Sequence, residues 1–154
     1  MFGLARLVAG YAWPWRSKTD ATAYDIELDG LQLRWNRSQV DWVNSVGSAD
    51  EVGSIHTIQG YDLNYAGVII GNDLRYNQRR GRLYFDRSSY YDAKGKENNR
   101  ARGITYTDED LLQLVRNIYS VLLTRGIRGT YVYVCDPDLR KFLMPFFQTS
   151  TPRT

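Results

Sequence analysis

Six polar or small residues, Ser54, His56, Thr57, Gln59, Gly60 and Asp62, crowd into nine positions between two apolar runs. Val52 and Ile55 lead in and Ile58 sits inside. Val68-Ile69-Ile70 follows, a continuous apolar run of the kind carried by strands buried on both faces. A polar cluster joining two buried strands is expected at the end of a sheet, where open α/β sheets bind ligands. A second concentration of donors, Arg125 and Arg128, follows an apolar-periodic segment. Taken on residue type alone, Arg125 is a cation meeting the negative end of a helix. A metal centre has little to build on, because His56 is the sole histidine and Cys135 the sole cysteine. Cys135 ends the run Tyr131-Val132-Tyr133-Val134 and reads as a buried strand thiol rather than a reactive one.

These groups need elements to hold them. Leu4 to Trp13 reads as a buried strand closed by Pro14, with Trp13 and Trp15 as core and rim packing. Ile26 and Leu28 alternate with charges, Asp29-Gly30 supplies a two-residue turn, and Leu31, Leu33 and Trp35 alternate on the return. That is a β-hairpin with a type I′ turn, expected as an appendage because a hairpin cannot be a parallel core pair. Positions 36–50 read as a short helix or helical turn. The central stretch, 53–71, reads as strand, loop, helical turn and strand. Thr107 caps a helix whose first turn is acidic and whose stripe is Leu111, Val115, Ile118 and Leu122, widened by Leu114 and Val121. Arg125 and Gly126 are expected to close it, the glycine in the left-handed conformation. A strand to Cys135 and a last helix from Asp136-Pro137, carrying Leu139, Phe142 and Leu143, complete one domain over 1–146. Residues 147–154 are expected to fray.

Positions 72–103 are the most polar and least periodic. Nine basic residues face four acidic ones there, a surplus larger than the +3 of the whole chain. Only Leu83-Tyr84-Phe85 reads as a strand, and about 86–103 is expected to be mobile, because 94–102 offers almost nothing apolar to bury. The segment reads either as a solvated loop or as a track for a phosphate backbone, with Tyr84, Tyr90 or Tyr91 stacking on bases.

Ser54-Ile55-His56-Thr57-Ile58-Gln59-Gly60-Tyr61-Asp62 is similar to motif V of superfamily 1 helicases, T-x-H-x-x-[KQ]-G-x-E. Leu122 to Gly129 resembles motif VI, V-x-x-T-R-A, and is followed by the expected apolar strand. With its flanking text, nearly the whole chain most resembles a helicase-like family of bacterial ATP-binding proteins related to the group 3 Schlafen helicase domain. The resemblance implies an α/β fold, a three-layer RecA-like lobe of the P-loop NTPase type with a mostly parallel sheet. It also implies the role of that lobe, the second, C-terminal motor lobe of an ATP-dependent DNA or RNA helicase or translocase.

By the same resemblance, Arg125 matches the arginine finger that reaches the γ-phosphate. Gly60 lets backbone approach phosphate, Asp62 stands where the family has a ribose-binding glutamate, and Gln59 replaces a frequent lysine. Arg128 assists, off the common T-R-A-R spacing. Ser54, His56 and Thr57 match the part of motif V that contacts the nucleic-acid strand. ATP with magnesium is implied only for the complete two-lobe protein. No G-x-x-x-x-G-K-[ST] occurs in this sequence, so the phosphate loop and metal ligands are expected on an N-terminal lobe of the same protein. The isolated chain is then part of an ATPase and inactive by itself. A start inside a core strand, with no arginine-bearing motif IV before it, points to a gene boundary through a larger protein.

At 154 residues the chain suffices for one domain, and a single cysteine excludes an internal disulfide. No signal peptide or membrane span is visible, a reducing cytoplasm is the natural compartment, and single-stranded DNA or RNA is the implied partner. Two further readings stand beside the motor lobe. One is a helicase-derived regulatory or nucleic-acid-binding module without catalysis; the other is a stand-alone single-strand binder using the basic segment.

Overall fold

A computed structural model describes residues 4–98 and 103–147. Six strands form one sheet: β1 (Ala5–Ala9), β2 (Ile26–Leu28), β3 (Leu31–Trp35), β4 (Glu51–Gly53), β5 (Leu63–Ile70) and β8 (Gly126–Val134), in the order β2-β3-β4-β1-β5-β8. Every pairing is parallel except β2 with β3. A separate antiparallel hairpin is built from β6 (Leu74–Asn77) and β7 (Arg82–Phe85). The two α-helices among the described residues are α1 (Asp108–Leu123) and α2 (Pro137–Leu143).

Strand alternation divides the core between the two faces of the sheet. On one face Val8, Ala66, Val68 and Ile70 meet Leu111, Leu112, Val115, Tyr119 and Leu122 of α1, together with Ile58, Leu63, Leu74 and Phe85. On the other, Ala9, Val52 and Ile69 meet Ile26 and Trp35, with Trp13 and Trp15 packed at the rim. That second face carries side chains of a hairpin and a loop where a three-layer lobe would carry helices. Farther along it a groove lined by Leu7, Tyr65, Gly67 and Tyr131 lies open. The sheet is therefore mixed α/β and mostly parallel, with helices on one side among the described residues.

The first hairpin forms as its sequence dictates, with Asp29 at φ 46° and Gly30 at φ 85°, the two positive angles of a type I′ turn. It is not an appendage. Arg34 and Trp35 pair in parallel register with Glu51 and Val52, so the hairpin extends the main sheet and buries Ile26 and Trp35. Asp25 locks the junction, accepting from Trp35 N at 2.8 Å and from Ser17 Oγ at 2.6 Å.

The first strand is shorter than its apolar run, ending at Ala9. Positions 36–50 contain a single 3-10 turn, Trp42–Asn44, which drops Trp42 and Val43 into the core. Thr107 forms a full capping box with Asp110 at the start of α1. The end of α1 differs from expectation. Thr124 is the C-cap, and Gly126 has no positive φ but opens β8. A glycine is needed there for space, since a Cβ at 126 would lie 2.2 Å from the Gly129 carbonyl oxygen. Two residues of β8, Ile127 and Arg128, stand opposite the single Asn64 in a bulge.

Part of the basic segment forms regular structure and makes specific contacts. Leu74 to Asn77 is a strand that the residue pattern hides, and Tyr90 is buried against Phe85 rather than free to stack. Lys96 donates to the Tyr90 carbonyl at 2.8 Å and Gly95 N to Asp92 at 3.0 Å. Residues 99–102 and 148–154, where mobility and fraying were expected, lie outside the described residues.

Candidate functional site

The residues from Ser54 to Asp62 connect β4 to β5, two strands that both run parallel to β1. A connection between parallel strands must return along the sheet's length. Its polar residues therefore occupy both ends of the sheet and not one: Ser54 and His56 at the carboxyl edge, Gly60 to Asp62 at the amino edge.

At the carboxyl edge Thr57 and Ser54 build the turn. Thr57 Oγ1 accepts from Ser54 N at 2.9 Å and donates to the Ser54 carbonyl at 3.1 Å, and both side chains are buried. Ser54 lies near Tyr11, whose hydroxyl is pushed above its ordinary range chiefly by burial. His56 alone of the three faces solvent, its ring 5.8 Å from that of Tyr11.

At the amino edge Arg125 meets the other end of the connection. Its Nη1 lies 3.4 Å from the Tyr61 carbonyl oxygen and 3.5 Å from Asp62 Oδ1, while the Arg125 carbonyl accepts from Leu63 N at 2.9 Å. Nε also reaches the Val121 carbonyl at 3.4 Å, so the guanidinium does meet the carbonyl end of α1. Nη2 has no partner among the described residues. Gly60 is exposed at φ 83° and nothing lies within 4 Å of where a Cβ would stand. The side of the turn is open space, and its left-handed backbone is one that only glycine adopts without strain. Gln59 and Arg128 are exposed near this edge, Arg128 on the β8 bulge.

The structure thus brings Arg125 against Tyr61 and Asp62, next to Gly60, and sets Ser54, His56 and Thr57 apart at the opposite edge. The Arg125 fork, half-buried and with Nη2 unpartnered among the described residues, offers N–H donors of the kind that bind anions, beside an exposed glycine turn. Among the described residues no cluster of three or more His, Cys, Asp or Glu could hold a metal ion.

Sequence reasoning missed a buried acid at the carboxyl edge. Asp73 accepts from the Tyr119 hydroxyl at 2.7 Å, and that hydroxyl accepts from Gly71 N at 2.9 Å. Its second oxygen, Oδ2, is buried without a partner, as is the Tyr90 hydroxyl. Burial raises the Asp73 carboxyl from 3.8 to about 6, against the lowering effect of the Tyr119 hydrogen bond. The only signal was an acid just after a buried strand, a common enough pattern to pass unremarked. Cys135 lies beside it half-buried, its thiol pushed up to about 12 chiefly by burial, which leaves little nucleophilic thiolate.

The domain is a mostly parallel α/β fold that sets a half-buried arginine and a glycine turn at one sheet edge and an exposed imidazole at the other. Comparison with known proteins gives its family. The family described as Schlafen group 3, DNA/RNA helicase domain, matches residues 1–136, and the chain belongs to that family. It is also similar to the uncharacterized protein YPL245W of Saccharomyces cerevisiae, 38% identical over 155 aligned positions that cover 93% of this chain and 32% of that protein. The chain thus spans about a third of that relative's length. No solved structure matches it. No helix among the described residues is long and apolar enough to cross a membrane.

Proposed function

We propose that the chain is the second, C-terminal RecA-like motor lobe of an ATP-dependent, superfamily 1-type DNA or RNA helicase or translocase. It supplies half of an ATP site to a lobe that carries the phosphate loop. The observation that carries the reading is the meeting of Arg125 with the 60–62 turn, because the two matching motifs lie far apart in sequence yet share one edge. Arg125 offers a planar, permanently charged fork to the γ-phosphate, Gly60 lets backbone N–H groups approach, and Gln59, Asp62 and Arg128 flank the sugar and phosphates. ATP with magnesium, when bound between the lobes, supplies the phosphoryl group whose spreading charge Arg125 stabilises. At the far edge Ser54 and Thr57 hold the turn that presents His56 to a DNA or RNA strand.

The test is Arg125→Ala in the complete protein. Arginine-finger losses cost about 10³–10⁵ in turnover. The ion pair with Asp62 is 26% and 66% exposed at its two side chains, so stability should move by less than about 1 kcal/mol. ATPase activity retained at the wild-type rate would reject the assignment. The isolated chain should not hydrolyse ATP, since the phosphate loop is absent from it.

One observation favours a second reading, a helicase-derived module without catalysis. Asp62, at the ribose position, is turned toward Arg125. An upstream gene segment lacking G-x-x-x-x-G-K-[ST] and a following Asp-Glu pair would select that reading.

A further inference from the structure

We propose that the β6–β7 hairpin is a grip for single-stranded nucleic acid, its tip arginines on the phosphodiester backbone and the cleft at its side taking a base. This rests on the nucleic-acid part of the function proposed above and adds a site to it. The hairpin leaves the sheet from the end of β5, at the same edge as His56.

Its arginines fall into two kinds. Arg75 is structural: it reaches Asp136 at 3.1 Å and Asp86 at 3.4 Å. Arg79, Arg80 and Arg82 are exposed at the tip, and none of them has a carboxylate partner among the described residues. Three cations within four positions repel one another, and no ion pair among the described residues offsets that. They are placed for an anion that comes from outside.

The stem that presents them is fixed. Asn77 Oδ1 accepts from Arg80 N at 2.9 Å, and Gly81 turns the tip at φ 61°. Tyr76 stacks on Phe142 of α2 with ring centroids 4.3 Å apart and planes 13° from parallel, and Tyr76 N donates to Asp136 Oδ2 at 3.3 Å. Gln78 Nε2 donates to Asp138 Oδ1 at 2.9 Å. A stem already held against α2 loses little freedom on binding.

Between the stem and α2 lies a cleft of about 380 Å³ lined by Tyr76, Asn77, Gln78, Arg79, Tyr84 and Asp138. The Tyr84 ring offers stacking surface, and the amide atoms not used by the Asn77–Arg80 and Gln78–Asp138 bonds, Asn77 Nδ2 and Gln78 Oε1, can meet base edges. The Asp138 carboxylate opposes a free phosphate inside the cleft but accepts the N–H donors of a base. The lining therefore fits a base inside with its phosphates outside, toward the arginines.

The test is fluorescence anisotropy of the whole chain with labelled oligo-dT and oligo-rU of about 16 nucleotides, across salt. Combined Arg79→Gln, Arg80→Gln and Arg82→Gln should lower the slope of log affinity against log salt by about 2, the release expected from three phosphate contacts on a single strand. Tyr84→Ala should weaken binding about 5- to 150-fold, the range of one lost stacking contact, with Tyr84→Phe close to wild type. The dT and rU arms tell a DNA grip from an RNA grip. A triple variant with the wild-type affinity and slope overturns the hairpin site, while His56→Ala weakening the same oligonucleotides would leave the proposed function standing. No binding to either oligonucleotide at low salt overturns both. Polyglutamate competing as well as oligonucleotide, per charge, marks a surface for acidic protein and also overturns the proposal.

Discussion

Replacing Asp73 with asparagine isolates a pH dependence built into the carboxyl edge. The carboxyl is buried, hydrogen-bonded on one oxygen by Tyr119 and unpartnered on the other, and its value rises from 3.8 to about 6. Because the folded value lies above the unfolded one, the folded state holds the proton longer. Stability from this group is therefore fully present below about pH 4 and is lost as pH rises through about 6. A rise of about two units corresponds to about 3 kcal/mol over the whole window, of which about 1.4 kcal/mol falls between about pH 5 and pH 7.5. Asp73→Asn keeps an acceptor for the Tyr119 hydroxyl and removes the titration. Urea unfolding followed by the fluorescence of buried Trp35 and Trp42 reads the difference. Subtracting the variant's pH profile from the wild type's cancels the carboxylates that titrate the other way, such as Asp86, held low mainly by its hydrogen bond from Ser88. The wild type should lose about 1.4 kcal/mol more than the variant between about pH 5 and pH 7.5. Parallel profiles would show that Asp73 ionises normally in the folded state, and the account of its burial would be wrong.

Two further variants test the frame around the site. Gly53→Ala places a Cβ 2.3 Å from the Trp42 ring, itself fully buried, so it should destabilise by about 1–3 kcal/mol as overpacking does; a shift in urea midpoint measures this, and an unchanged midpoint contradicts the packing. Asp136→Ala removes the N-cap of α2 and the acceptor for both Arg75 Nε and Tyr76 N. It should cost about 1–3 kcal/mol in the same assay, and unchanged stability would mean that the β6–β7 hairpin is not anchored through it.

Local signals were legible and long-range ones were not. Asp29-Gly30 and Thr107 with its three acids fix their own backbone, and both sit as the residues require. That Arg34 and Trp35 would pair with Glu51 and Val52 had no such signal, because strand pairing is a contest between whole segments settled by burial, here of Trp35 and Ile26. β6 escaped notice because Leu74 and Tyr76 are its only apolar residues, a period of two too short to rise above a polar background. The proximity of Arg125 to Tyr61 and Asp62 was legible only through the helicase resemblance. On residue type alone Arg125 belonged to the end of α1, and the structure has it touching both.

The connection from Ser54 to Asp62 bears on how such a lobe can work. Nine residues reach about 30 Å when fully extended. They must run back along β1, whose five residues alone span about 17 Å. Much of the reach is consumed by turns: Ile58 N donates to the Ser54 carbonyl, and Tyr61 N to the Ile58 carbonyl. Ile58 is fully buried midway, the Ser54–Thr57 bonds fix one end, and Leu63 N on the Arg125 carbonyl fixes the other. A segment tied at both ends and in the middle has little slack. On the two-lobe reading, the strand edge and the nucleotide edge are then joined by a strut rather than a hinge. On that same reading, motion between ATP states would be carried by the lobe moving as a body against its partner.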